Sequence, residues 1–151
     1  MYKRQLQTGG ASHDVQLVGQ GQNDLEQSLA AAARAQNRSV TPETLPERGL
    51  FYRADHFSLA KLGVPTLLFM AISGAPDLVT GGLPAGQKWL DGYMACYHQA
   101  CDQWHADWPL TGAAQDVDLA YVVGRDLAFS ARWPQWSAAS EFRAAREASR
   151  R

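Results

Sequence analysis

Few cysteines, the lack of a long apolar run and a near-zero net charge each exclude a class of protein. Two cysteines, Cys96 and Cys101, are too few for the disulfide framework of a small secreted domain. The best apolar run, residues 64–72, is interrupted by Pro65 and Thr66, whereas a bilayer span needs about 20 consecutive apolar residues. The sequence therefore predicts no membrane span.

A surplus of basic residues is also missing. The 14 Lys and Arg residues nearly cancel the 15 Asp and Glu residues, and no basic stripe forms beyond Arg150 and Arg151. Nucleic-acid phosphates bind basic surfaces, and this sequence predicts none, so we expect no nucleic-acid partner.

Residues 1–5 are followed by no apolar stretch, so we expect no secretory signal there.

The composition is that of one globular domain, or of one piece of a larger domain. A chain of 151 residues with 46% hydrophobic content can bury a core of ordinary size. Residues 14–19 alternate apolar and polar side chains up to a Gly-Gln-Gly turn, which predicts a strand. Asn23 can cap a helix that fades near Asn37, and residues 39–41 favour extended backbone. The apolar positions of that helix are Leu25, Leu29, Ala32 and Ala33.

A loop rich in proline and glycine follows, up to about Leu50, and leads to a short helix and an apolar strand. Asp55 can cap a helix over residues 56–62, which Gly63 would end. The continuous apolar run of residues 67–70 predicts a strand covered on both faces, as in a mostly parallel sheet. This succession of strands and helices indicates an α/β fold.

The last third of the chain predicts a loop, a helix and a tail. Residues 73–86 are rich in Gly and Pro, which is typical of a lid or a binding edge. A closing helix is predicted from Thr111 to before Pro134. The tail from Ser140 alternates Glu and Arg around Phe142 with little to bury, so we expect an exposed helix or a frayed end. One face of the closing helix consists of Ala114, Val117, Tyr121, Gly124 and Ala128.

Two groups of residues are able to carry chemistry. Residues 96–105 contain two cysteines and two histidines, but the interleaved C-x4-C and H-x6-H spacings do not fit the close ligand pairs of a structural zinc site. The second group, Arg53-Ala54-Asp55-His56, lies where a loop meets a helix and can face a cleft. Asp55 as a helix cap and Asp55 as a cleft residue are compatible roles.

The recognisable motifs are residues 49–57 (Gly-Leu-Phe-Tyr-Arg-Ala-Asp-His-Phe), 61–65 (Lys-Leu-Gly-Val-Pro) and 97–102 (Tyr-His-Gln-Ala-Cys-Asp). In order and spacing they resemble the two-zinc aminopeptidases, a family that also includes glutamate carboxypeptidase and glutaminyl cyclase. The resemblance implies the C-terminal part of a three-layer α/β/α fold with a mostly parallel mixed sheet, truncated at its N-terminal side. It divides the chain into an unmatched start (1–13), a catalytic-domain part (14–136) and an exposed charged tail (137–151).

The resemblance implies a zinc exopeptidase that removes N-terminal residues from a peptide substrate. His98 corresponds to the last zinc ligand, and Asp55 and His56 correspond to a pair beside the cleft. Their motif neighbours Tyr97 and Arg53 are further cleft candidates. Asp102 is near enough in sequence to hold the ring of His98 from the second shell of the metal. The chain departs from the family at two non-ligand positions, Ala54 in place of Ser and Ala100 in place of Pro.

Most of the family's site has no counterpart in this sequence. Members bind two zinc ions through an earlier His, a bridging Asp, a Glu–Glu pair whose first member is the general base, and a strand-end Asp. This chain has no adjacent Glu–Glu, and the family's other ligands lie upstream of the matched part. We therefore expect a C-terminal fragment that binds zinc weakly at most and is inactive alone.

Two other interpretations stay open. The chain could be a short relative that binds peptides or another protein without catalysis. It could also be an acyltransferase of the glutaminyl cyclase type with one zinc ion, in which Trp104 and Trp108 line a small pocket. If the parent is exported to the periplasm or beyond, Cys96 and Cys101 could pair, but a separation of five residues does not establish the geometry of a disulfide. We expect two independent small core residues.

Overall fold

The computed structural model describes residues 7–149, which form a small mixed sheet and several helices. The prediction of an α/β fold is confirmed. Residues 1–6 of the predicted unmatched start, and Arg150 and Arg151, lie outside the described residues.

The strands are β1 (Asp14–Val18), β2 (Ser39–Pro42) and β3 (Leu68–Phe69). The helices are α1 (Leu25–Ala35), α2 (Phe57–Ala60), α3 (Gly82–Cys96), α4 (Thr111–Ala128) and α5 (Arg143–Ala148).

The central strand β1 is buried along its whole length and pairs with both other strands. It runs parallel to β2, with Val15 opposite Val40, and antiparallel to β3, with Leu17 opposite Phe69. The predicted strand at residues 67–70 is therefore shorter than expected, antiparallel and only half-buried. Its apolar run resembled a covered parallel strand because run length alone does not reveal the direction of pairing.

Alternate residues of β1 point to two different layers. Val15 and Leu17 pack against α1 and α4 in one core, together with Leu29 and Leu119. On the opposite face, Gln16 accepts a hydrogen bond from the Ser73 hydroxyl (3.1 Å) and donates one to the Ala75 carbonyl (2.9 Å). The chain after β3 is thereby fixed across the second face of the sheet.

Helix α1 packs as its sequence predicts, but Asp24 rather than Asn23 occupies the N-cap position, and no side chain caps the helix there. The Glu26 carboxylate accepts hydrogen bonds from the N–H groups of residues 21–23, and Asn23 Oδ1 accepts one from the Leu25 N–H (3.1 Å). Only the Leu25 N–H belongs to the first turn, whose donors have no partner within the helix. The Glu26 contacts instead hold the chain just before the helix. The predicted apolar positions of this helix are all buried.

Helix α4 is present where the sequence predicts it, but the predicted apolar face points to solvent. Val117 and Tyr121 are 58% and 61% exposed, and the rest of that face is also exposed. The buried side of the helix is instead formed by Gly112, Ala113, Leu119 and Val123. A Cβ on Gly112 would overlap the carbonyl oxygen of Gly10, so this side lies close to a neighbouring backbone.

A second core is aromatic and contains part of the predicted tail. Phe142 is only 6% exposed and contacts the rings of Phe51, Phe57 and Trp136. The Trp136 indole N–H donates a hydrogen bond to the Gly63 carbonyl (2.9 Å). The predicted exposed helix is present as α5, which has no buried residue. The expectation that this segment has little to bury is wrong only for Phe142, because periodicity does not detect a single buried aromatic residue.

Three local predictions also need correction. Helix α2 covers only residues 57–60, and no side chain, including that of Asp55, caps it. Helix α3 begins at Gly82, inside the segment predicted to be a loop. Cys96 and Cys101 form a disulfide, with a Cα–Cα distance of 5.3 Å, so the interpretation as independent core residues is wrong. The turn that follows α3 reverses the chain and brings the second cysteine back to the first.

Candidate functional site

His98 lies at the tip of a short loop that begins where α3 ends. Its φ angle is +61°, in the left-handed region that few residues other than glycine adopt. The Gln99 N–H donates to the Cys96 carbonyl (2.9 Å), and the Cys96–Cys101 disulfide closes the loop at its base. The backbone thus presents an exposed imidazole from a constrained turn, and such an outlier is typical of functional sites.

A ladder of aromatic rings along α3 supports this loop. The ring centroids of Trp89 and Tyr93 are 5.4 Å apart, and those of Tyr93 and Tyr97 are 5.8 Å apart. The ring of Tyr97 meets the ring of His98 edge-on at 4.0 Å. Tyr93 and Tyr97 also pack on the aromatic core, so that core fixes the start of the loop. The i, i+4, i+8 spacing of these rings is visible in the sequence, yet our sequence analysis missed it.

The segment Arg53–His56 follows a 3₁₀ turn at Leu50–Tyr52. Arg53 and Asp55 are exposed, and Arg53 Nη1 donates to the Arg48 carbonyl (3.4 Å). His56 is half-buried and meets the Phe51 ring edge-on at 4.6 Å. Both of its ring nitrogens are buried, and neither makes a hydrogen bond. Burial lowers the pKa of His56, and the nearby Asp55 carboxylate opposes this effect only in part.

The two predicted groups are anchored in the same part of the fold. Phe51, which contacts His56, is part of the aromatic core, and Tyr97, which contacts His98, packs against the same core. The roles predicted for Arg53, Asp55, His56, Tyr97, His98 and Asp102 remain predictions.

The described residues do not by themselves fit a zinc ion. Within residues 7–149, no three His, Cys, Asp or Glu side chains lie close enough together to hold a metal. The two cysteines of the ligand-rich segment are consumed by the disulfide. His98 supplies one imidazole, whereas a catalytic zinc site has about three protein ligands.

A cavity of about 860 Å³ lies beside the loop, and His98 is not among the residues that line it. It is lined by residues 8–11, residues 78–80, one face of α3, the disulfide and the segment after it. Asp102 lines this cavity and also a smaller one of about 430 Å³, which Trp104 and Trp108 help to form. Residues 78–80 of the predicted loop line the large cavity, and Trp104 and Trp108 line the smaller one.

Comparison with known proteins identifies the domain. The model of peptidase family M28 matches residues 5–122. The chain belongs to peptidase family M28. No curated protein and no solved structure matches the chain significantly. The match confirms the resemblance inferred from the three motifs, and it makes this a peptidase-type domain of a generally zinc-dependent family.

The M28 match covers β1 to β3 and α1 to α3, and it stops within α4. Both predicted groups, Arg53–His56 and Tyr97–Asp102, therefore lie inside the matched region. None of the helices between residues 7 and 149 is long and apolar enough to cross a membrane.

The protonation of His56 gives a first testable prediction. Its pKa should lie below the ordinary value of about 6.5, because burial disfavours the imidazolium ion. A lowered pKa means that the unfolded chain binds more protons between the two pKa values. The contribution of His56 to the free energy of unfolding should therefore be fully present above about pH 6.5. It should be lost on acidification through the lowered pKa of the folded state.

NMR titration of the His56 ring protons measures this pKa directly. Asp55→Asn should lower it further, because the carboxylate is the group that favours the charged ring. Glu47→Gln, which removes an exposed carboxylate elsewhere, serves as the control and should leave the midpoint unchanged. A His56 midpoint at or above the ordinary value would contradict the prediction.

Proposed function

We propose that this M28 chain is the C-terminal part of a zinc-dependent exopeptidase of the aminopeptidase type. The whole enzyme would hydrolyse N-terminal peptide bonds of peptide substrates with two metal ions, and this chain alone would be inactive. The observation that carries the proposal is the exposed His98 in a left-handed turn, inside a matched M28 domain whose described residues offer no further ligand cluster.

The local structure supports a ligand role for His98. Its ring stands outside the core, while its neighbour Tyr97 is held by the aromatic core. A ligand held by a rigid turn loses little conformational freedom on binding, which favours metal affinity. Asp102 follows four residues later, and we assign it the role of fixing the His98 tautomer. Arg53, Asp55 and His56 would line the cleft beside the substrate.

The shortage of ligands supports the predicted inactivity. One imidazole does not hold zinc against water, and the sequence lacks the adjacent Glu–Glu pair whose first member is the family's general base. The missing ligands would be supplied by other parts of the parent enzyme, which would also place a scissile bond near His98.

Metal analysis and an activity assay test the isolated chain. After dialysis against zinc and removal of excess metal, the purified chain should retain much less than one zinc ion per molecule. It should also leave aminoacyl-anilide substrates uncut. Stoichiometric zinc together with turnover would refute the proposal that the chain is incomplete.

A chimera tests the assignment of His98 in an active context. Residues 14–136 would replace the corresponding segment of an active M28 aminopeptidase, and the chimera should retain zinc-dependent activity. His98→Ala in the chimera should lower kcat/KM by about a thousandfold or more and reduce bound zinc, because a metal ligand is lost. His105→Ala removes the other histidine of the same segment and should change activity by less than about threefold. A folded but inactive chimera, or an active His98→Ala variant, would count against the proposal.

A second function is favoured by one observation, the large cavity beside the loop. The chain could bind peptides or another protein there without cutting them. Equilibrium binding of a labelled peptide library to the isolated chain distinguishes the two functions. Micromolar binding that Gly92→Trp abolishes by filling the cavity, combined with an inactive chimera, would favour the binding module.

A further inference from the structure

The most conspicuous unexplained surface is the outer face of α4. This face consists of Ala114, Val117, Tyr121, Gly124 and Ala128 and is exposed throughout. Phe129, directly after the helix, is 91% exposed. Exposed apolar patches of this kind usually mark an interaction site. The face lies on the side of the helix opposite to the core and has no part in the function proposed above.

The charges that border this face have a particular arrangement. Asp118 and Arg125 are both exposed and are seven residues apart, so they lie on the same side of the helix about two turns from each other. Along the sequence, the two residues are equally far from the point midway between Tyr121 and Val122. If two copies of the helix pack antiparallel around a two-fold axis that passes between them at the level of this point, Asp118 of each copy would face Arg125 of the other.

The same axis also matches large residues with small ones. Phe129 and Ala114 are symmetric about the same point, so the ring of one copy would lie over the methyl group of the other. On the opposite flank, Val117 would sit between Gly124 and Ala128 of the second copy. Nothing lies within 4 Å of a Cβ built on Gly124, so the helix backbone is open to a close approach at this position. A single two-fold axis would therefore pair opposite charges and also place large side chains against small ones.

We propose that α4 is a homodimer interface, in which two copies of this chain pair their outer α4 faces antiparallel around a two-fold axis near Tyr121. A helix of 18 residues is about 27 Å long, and the contact would cover most of it. Large aromatic side chains bury about 150–250 Å² each, so the interface would be at the small end of stable dimers. We expect a dimer with a dissociation constant in the micromolar range, on the order of 1–100 µM.

The ion pair that Arg125 makes now does not oppose this arrangement. Arg125 contacts Asp126 at 2.7 Å, but both side chains are about half-exposed or more, so the pair is screened by solvent and easily exchanged. In the dimer, the Asp118 carboxylate of the second copy would offer Arg125 a partner that is less exposed to water.

A charge swap gives a decisive experiment. Sedimentation equilibrium of the full chain over about 1–200 µM should show a monomer–dimer equilibrium. Asp118→Arg alone, or Arg125→Asp alone, places like charges opposite each other twice and should raise the dissociation constant more than about tenfold. The double variant Asp118→Arg/Arg125→Asp restores both pairs with reversed sign and should restore the dimer. Glu47→Arg, the same charge reversal at an exposed position away from α4, should have no effect.

A shape variant tests the close approach independently of charge. We expect the monomer to tolerate Gly124→Leu, because the position is exposed and a Cβ there meets nothing within 4 Å. In the dimer, the leucine should occupy the space proposed for Val117 of the second copy and abolish pairing. Circular dichroism checks that each variant remains folded. A wild-type chain that stays monomeric at 200 µM, or a dimer that survives both single charge reversals, overturns the proposal.

Discussion

Arg38→Met is expected to lower the free energy of unfolding by about 3–5 kcal/mol, the usual cost of removing one partner of a buried ion pair. Arg38 Nη2 lies 2.8 Å from Asp116 Oδ1, and the two side chains are 2% and 12% exposed. The guanidinium also donates to the Asp14 carbonyl and the Ser12 hydroxyl. It therefore joins β1 and the end of α1 to α4, and its loss leaves the Asp116 carboxylate buried without a cation.

The pH dependence of this loss follows from Asp116. Burial raises the pKa of Asp116, and the Arg38 guanidinium offsets this effect only in part. A carboxyl group with a raised pKa in the folded state stabilises the fold below its unfolded pKa, and this contribution disappears as pH rises through the folded pKa. Removal of Arg38 should raise the pKa further, so the deficit of Arg38→Met should be largest near pH 7 and shrink on acidification.

Urea unfolding at pH 7 and at pH 4.5 measures both effects. The double variant Arg38→Met/Asp116→Leu removes the stranded charge and should recover a substantial part of the lost stability at pH 7. Arg34→Met, a neighbouring exposed arginine on α1, serves as the control and should change stability by less than about 0.5 kcal/mol. A cost below about 1 kcal/mol for Arg38→Met, or a cost that is independent of pH, would contradict this account.

The sequence was sufficient for elements whose signals are local. The strand at β1 and the helix α1 were predicted because period-two alternation and helical spacing of Leu25 and Leu29 are contained within each segment. The M28 motifs were recognisable for the same reason, since the order of residues around Asp55 and His98 needs no knowledge of packing. These local signals identify the family from the sequence alone.

The orientation of α4 could not be predicted from the local sequence pattern. Ala114, Val117 and Tyr121 have helical spacing, but so do Leu119 and Val123 on the other side, so the helix has two apolar faces. The choice between them depends on contacts far away in sequence. Gly112 must approach Gly10, and Asp116 must reach Arg38. No periodicity within the helix contains that information.

The prediction for the two cysteines is wrong for a related reason. Whether Cys96 and Cys101 pair depends on the chain reversal after α3, which includes the left-handed His98 and is not encoded by a typical turn residue. The position of His98 in the motif was predictable, whereas the neighbours of its ring depend on how the turn is placed against the aromatic core.

Gly86→Ala is expected to destabilise the fold by about 3 kcal/mol, at the upper end of the usual cost of overpacking. Gly86 is buried in the first half of α3, and a Cβ at this position would overlap the carbonyl oxygen of Pro76. The obstacle is backbone rather than a flexible side chain, so either the helix or the segment across the second face of the sheet must move. That movement would disturb the Gln16 contact with Ala75 and the hydrogen bond from the Asp77 N–H to Asp14 Oδ1.

Gly92→Ala is the matched control, because it introduces the same methyl group in the same helix six residues later. Nothing lies within 4 Å of a Cβ at Gly92, so the change should stabilise the helix by about 0.5–1 kcal/mol through the loss of glycine's backbone freedom in the unfolded chain. Thermal and urea unfolding should therefore move in opposite directions for the two variants. Equal effects of Gly86→Ala and Gly92→Ala would mean that helix propensity alone governs α3, and that its close contact with Pro76 does not constrain the fold around the His98 loop.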